Sequence, residues 1–129
     1  MRSIKLFGVL LLSAIGIYAQ SFDTWKVYAD LKYAISVHPV NGGFACVAGG
    51  GIFVYDKNND EYSLFSKADG LSSQDYTAGA IDSKGNLWCG SSEGYINIFS
   101  ATDKSITKII DIYKTEKSRK RINNIFVKG

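Results

Sequence analysis

Along residues 33–112 apolar and polar residues alternate in short runs, with Gly, Asn, Asp and Ser gathered between the runs. That is the pattern of short β-strands joined by tight turns, and no long stretch keeps the spacing of an amphipathic helix. The best helical stretch, 114–121, is charged all round and offers no face to bury. Strands are expected at 33–38, 44–48, 51–55 and 61–66, then at 75–82, 86–90, 95–100 and 105–112, with a further one opening at 121–127. Between them, Asp82-Ser83-Lys84-Gly85-Asn86 reads as a tight hairpin in which Gly85 takes positive φ. Asp56-Lys57-Asn58-Asn59-Asp60 reads as a polar hairpin tip, and Asp69-Gly70-Leu71-Ser72-Ser73 as the connection from one group of strands to the next.

The two groups of strands are copies. At an offset of 43, Phe44-Ala45-Cys46 falls on Leu87-Trp88-Cys89, Gly51 on Gly94, Phe53-Val54-Tyr55 on Ile96-Asn97-Ile98, and Val37 on Ala80. The turn Asn41-Gly42-Gly43 falls on Lys84-Gly85-Asn86. A third copy begins near Ile122, with Lys128-Gly129 following Lys84-Gly85. A period of this length with four strands per copy is that of a propeller blade. The expected fold is therefore all-β: a β-propeller fragment of about two four-stranded antiparallel blades, at about 33–66 and 75–112, with a third beginning near 121. A small β-sandwich would also give short strands, but not turns, glycines and cysteines in common register. Six to eight such blades need about 260–340 residues, so a truncated product, a fragment or the head of a longer protein is expected. Each end blade would then expose an apolar face prone to association. Trp25-Lys26-Val27-Tyr28 reads as an extra strand, placed to pair with a last blade and close the circle.

Ahead of this region, Met1-Arg2-Ser3-Ile4-Lys5 is basic, 6–17 is almost wholly apolar, and Tyr18-Ala19 ends the stretch on a small residue. These are the three parts of a secretory signal, so 1–19 is expected to be removed and 20–129 to form the mature chain. A span takes about 20 apolar residues, more than this stretch supplies, so no stable membrane span is expected. Export places the protein in the periplasm or on the outer cell surface. Without Arg2 and Lys5, the 15 Lys and Arg become 13 against 12 Asp and Glu. That near-neutral balance gives no case for nucleic acid. Cys46 and Cys89 occupy matching positions in neighbouring copies, beyond the reach of a disulfide.

No constellation carries catalysis. Gly49-Gly50-Gly51 precedes a β-rich run and not the helix a phosphate cradle needs. Asp56, Asp60 and Glu61 are interrupted by Lys57 and lack the alternating oxygens of a calcium loop. His38 is the only histidine, too few ligands for zinc, and Ser72 and Ser73 have no identifiable base. No catalytic, metal or cofactor residues are therefore assigned. One charged cluster stands out: Lys114, Lys117, Arg119, Lys120 and Arg121 fall within eight residues. It reads as a loop suited to an anionic partner such as a surface glycan, or simply as a solvated inter-blade loop.

The second copy reads Gly70-Leu71-Ser72, then Asp82-Ser83-Lys84-Gly85-Asn86-Leu87-Trp88, then Gly90-Ser91-Ser92-Glu93-Gly94. This resembles the repeat of the two-component regulator propeller family. The first copy departs from it, with Ala45 in place of the Trp. Over nearly the whole mature chain, the order Trp25…Tyr28, Gly51-Ile52-Phe53-Val54-Tyr55-Asp56, Asp69-Gly70-Leu71-Ser72, Gly94-Tyr95-Ile96-Asn97-Ile98, Ile109-Ile110-Asp111-Ile112 and Arg121-Ile122-Asn123 is similar to the first propeller of PorZ-type proteins. Those are surface components of the type IX secretion system of Bacteroidota. The resemblance implies a non-enzymatic interaction scaffold whose partners are proteins of a secretion complex, or further blades of the same protein. Related propellers also serve as periplasmic ligand-sensing domains of hybrid two-component regulators, the alternative the resemblance leaves open.

Overall fold

The structure, a computed structural model, describes residues 31–128; the expected leader at 1–19 and strand at 25–28 lie outside them. The described residues form two four-stranded antiparallel sheets, each a simple meander. The first holds β1 (Ala34–Val40), β2 (Gly43–Ala48), β3 (Gly51–Asp56) and β4 (Glu61–Phe65). The second holds β5 (Tyr76–Ile81), β6 (Asn86–Ser91), β7 (Ile96–Ser100) and β8 (Ile106–Ile109). The only helical turn among the described residues is a 3₁₀ turn, Lys67–Asp69, between the sheets. The described residues are all-β, two stacked blades of a β-propeller fragment that do not close a ring among themselves.

The two sheets share one plan, but the equivalence drifts along the blade. Val37 pairs with Cys46 and Gly79 with Cys89, an offset of 42 for the first strands, whereas β2 and β6 are offset by 43. In the next pair Cys46 faces Phe53 while Cys89 faces Asn97, an offset of 44. Phe53-Val54-Tyr55 therefore corresponds to Asn97-Ile98-Phe99, and Val37 to Gly79, each one residue from the constant-offset expectation. The cause is turn length. Two residues link Val40 to Gly43, and two link Ala48 to Gly51. Three lie between Asp82 and Asn86, whose backbones are joined, and three between Ser91 and Tyr95. Because side chains alternate across a strand, a one-residue slip moves every group to the opposite face. The extra turn residue keeps the right set pointing inward. The last turns are of equal length, and their final residues, Asp60 and Lys104, both take positive φ (53° and 59°).

The sheets stack face to face. Ala45, Val47, Ile52, Val54 and Phe65 of the first meet Leu87, Cys89, Phe99 and Tyr76 of the second, and this interface is the core. Phe65 and Phe99 rings lie 4.7 Å apart at a tilt of 51°, a favourable aromatic geometry. The β1 and β5 backbones approach closely because Gly79 has no side chain: a Cβ there would meet Val47 Cγ2 at 2.8 Å. The next stacking step reverses the sizes. Gly90, the counterpart of Val47, is the small partner, and Ile122 and Ile125 fill the space.

The residues of the inter-sheet connection have structural tasks. Ser66 caps the 3₁₀ turn and Asp69 reaches back to its amide at 2.8 Å. Gly70 adopts φ 109°, leaving Leu71 buried in the core. Tyr76 N–H then donates to Gly49 C=O at 2.9 Å, tying the first strand of the second blade to the first. Ile122 N–H repeats that tie to Ser91 C=O at 3.0 Å, and Ile122 is buried. The segment 121–128 thus enters where a third blade begins, but it is not a strand, since no described segment forms a ladder with it. β8 also stops short of the expected residue 112. The carbonyls of Ile110 and Ile112 accept from the amides of Lys114 and Thr115, turning the chain out of the sheet. No helix forms over 114–121.

Candidate functional site

One face of the first sheet is open. Its alternating positions hold Phe44, Cys46, Phe53, Tyr55, Tyr62 and Leu64, flanked by Val37 and Pro39 from β1. Tyr62 is 64% exposed, Val37 59%, Leu64 40% and Phe44 37%. The rings form a continuous strip: Phe44 to Tyr55 at 5.1 Å, Tyr55 to Tyr62 at 4.9 Å, Tyr62 to Phe53 at 5.2 Å. Tyr55 keeps its hydroxyl satisfied by donating to Asp60 at 3.0 Å, and that bond raises its pKa above the ordinary phenol range. A soluble surface rarely gathers so many apolar groups in one place unless something covers them.

The basic loop has a definite shape. Tyr95, beside the turn after β6, stacks on Tyr113 with ring centres 4.3 Å apart and planes 19° from parallel. Lys108 Nζ lies 5.1 Å from the Tyr95 ring centre and Lys120 Nζ 5.2 Å from that of Tyr113. Each cation faces a ring, an arrangement worth about 0.5–1 kcal/mol at exposed sites. Lys120 also donates to the Tyr113 carbonyl at 2.7 Å. The hydrogen bond that the Tyr95 hydroxyl donates to Tyr113 pushes the Tyr95 phenol up to about 12. Of the five basic residues singled out from the sequence, the structure uses Lys120 to fix the loop. Lys114, Lys117, Arg119 and Arg121 are left exposed. Lys108, which sequence reasoning passed over, joins the cluster from β8.

The other candidate sites resolve into turns. Asp56 accepts from the Asn58 amide at 2.8 Å and from Asn59 Nδ2 at 3.1 Å, so its carboxylate closes the hairpin tip. Gly49 and Gly50 make the two-residue turn between β2 and β3. Among the described residues no group of three His, Cys, Asp or Glu side chains is placed to hold a metal ion. Both cysteines are free thiols; Cys89 is fully buried, and burial raises its pKa.

Two polar centres explain the residues behind the family resemblance. Asp82 accepts from Trp88 Nε1 at 3.0 Å, from the Asn86 amide at 2.8 Å and side chain at 3.0 Å, and from the Lys84 amide at 2.9 Å. These bonds, that of Trp88 foremost, hold its carboxyl down at about 2. The Asp-x-x-Gly-Asn-Leu-Trp run is thus a self-contained turn, with Gly85 at φ 81°. The second centre, Asn97, is fully buried, a role that the repeat alignment did not assign to it. Its oxygen accepts from the Ser72 amide at 3.0 Å and the Tyr76 hydroxyl at 2.6 Å, and its Nδ2 donates to Ser72 Oγ at 3.0 Å. It pins the inter-sheet connection to the second blade.

No protein-family model matches the chain, and no curated protein matches it. No helix among the described residues is long and apolar enough to cross a membrane.

Proposed function

We propose that this chain belongs to a PorZ-like propeller, an exported, non-enzymatic interaction scaffold of the type IX secretion and surface-attachment machinery. The reading is supported by a propeller-type stack of blades that agrees in order with the residues of the resemblance. Gly70, Gly85 and Gly94 take positive φ, Leu71 and Ile122 are buried, and Ser72, Asp82 and Trp88 are held in hydrogen bonds. The observation that carries the scaffold role is the open aromatic face, an apolar surface suited to packing against protein. The exposed cations at 114–121 add a second contact surface, suited to an acidic partner or an anionic glycan. The experiment is affinity capture of the protein from outer membranes of the organism that encodes it. Recovery together with secretion components is the expected result; recovery alone, or a gene that continues into a membrane span and a histidine kinase, overturns the reading.

A further inference from the structure

The connection leaving β8 is held in one shape from both ends. The carbonyls of Ile110 and Ile112 accept from the Lys114 and Thr115 amides, and Thr115 Oγ1 donates to Ile112 C=O at 2.7 Å. Lys120 Nζ reaches back to the Tyr113 carbonyl at 2.7 Å, so 113–120 closes on itself as a compact surface loop. Gly94 lets this loop lie against the turn after β6: a Cβ there would meet Ile112 Cγ2 at 3.0 Å and the Tyr113 amide nitrogen at 3.1 Å. The Lys108–Tyr95–Tyr113–Lys120 stack is the base, and Lys114, Lys117, Arg119 and Arg121 are exposed around it. Closure of this kind orders the backbone that carries the cations before any partner arrives, which lowers the entropy cost of binding.

We propose that this loop docks an acidic segment of a partner polypeptide. The proposal rests on reading the basic loop as a second contact surface and narrows that surface to one kind of partner. Charge sets the sign: between 108 and 121, six Lys and Arg stand against two acids, Asp111 and Glu116. Two features favour a polypeptide over a uniformly charged polymer. Asp111 and Glu116 are exposed among the cations. A polymer with an anion on every unit meets both, whereas a mixed sequence sets uncharged residues there. Ile112, 39% exposed, and Tyr113, 43% exposed, leave apolar surface beside the cations, which an apolar side chain covers and a hydrated polyanion leaves wet. Arg119 and Arg121 suit carboxylates in particular, since a guanidinium binds one through two parallel hydrogen bonds.

The test is fluorescence anisotropy on the full chain with a pair of labelled probes of equal charge, an acidic peptide carrying isolated Leu residues and an oligogalacturonate. The peptide is expected to bind more tightly. Lys114→Glu with Lys117→Glu should weaken its binding by about tenfold or more. Ile112→Ser, which leaves every charge in place, should weaken the peptide by about threefold and leave the oligogalacturonate unchanged. Glu116→Gln should tighten the oligogalacturonate more than the peptide. Circular dichroism unchanged from wild type reports intact sheets in each variant. Oligogalacturonate binding as tight as the peptide's, or peptide binding indifferent to Ile112→Ser, overturns the proposal and leaves a general surface for polyanions. Binding of neither probe, or peptide binding indifferent to Lys114→Glu with Lys117→Glu, overturns the proposal and the second contact surface together. The scaffold role on the open aromatic face is decided separately, by capture from outer membranes.

Discussion

Phe99 and Tyr55 occupy the same ladder position on the same face of their sheets, yet Phe99 is fully buried and Tyr55 lies on an open surface. The difference comes from what stands next to each sheet, since the strand plan is shared. The second sheet has the first against it; the first has no described neighbour on that side. The residues record this history unevenly. Where the covered face carries Gly79, Asn97 and, at its exposed edge, Lys108, the open one carries Val37, Phe53 and Leu64. The open face is thus bulkier and more apolar than its buried counterpart, the opposite of what solvent exposure alone would favour.

Substitutions at matched positions sharpen this comparison. The largest expected difference is Phe99→Ala against Tyr55→Ala. The first empties the core beside Phe65 and should cost about 3–4 kcal/mol in denaturant unfolding, while the second removes a half-buried ring and should cost under about 1 kcal/mol. Equal losses would mean that the two faces are equally covered. Asn97→Leu comes next. It strands the Ser72 amide and the Tyr76 hydroxyl without a partner, and about 2–3 kcal/mol should be lost. Phe53→Leu, its match, should be nearly silent in the same assay.

Turn chemistry separates the copies more mildly. Asp82→Ala removes four hydrogen-bond acceptor contacts from the second blade's hairpin, and a loss of about 1–2 kcal/mol is expected. Val40, its counterpart in the first blade, has no side-chain acceptor with which to make such a network. The sign of the accompanying pH effect follows from linkage. The folded Asp82 carboxyl, held at about 2, binds a proton less readily than the unfolded one at 3.8. Its contribution is therefore complete above about pH 4 and fades as pH falls toward 2. Acid unfolding of Asp82→Ala should lack that part of the slope; an unchanged slope would place the titration elsewhere. The smallest effect is expected in the basic loop. Lys114→Glu with Lys117→Glu should leave the unfolding midpoint within about 0.5 kcal/mol of wild type, while weakening retention on an immobilised polyanion at low salt.

The strands and their turns were legible because alternation, glycines and the Asp-Gly connection mark them locally. Strand starts and ends agree to within one or two residues for seven of the eight, β8 being the exception. The drift of equivalence from 42 to 44 was not legible, because anchoring Gly51 on Gly94 imposes one offset on turns of unequal length. The burial of Asn97 was not legible because the constant offset set it against Val54; only the partners Ser72 and Tyr76, brought in from the connection, make its burial tolerable. The Tyr95–Tyr113 stack joins residues whose approach depends on β8 ending early, which no local pattern announces.

The central claim is that the two sheets are consecutive blades, the inner face of the first packed on the opposite face of the second. Isotope-edited NMR on the folded chain tests it most directly, through nuclear Overhauser contacts between the rings of Phe65 and Phe99, 4.7 Å apart, and between the Val47 methyls and Gly79 Hα. Both sets of contacts are expected. Intact strand-to-strand contacts within each sheet, with neither contact between the sheets, would contradict the account.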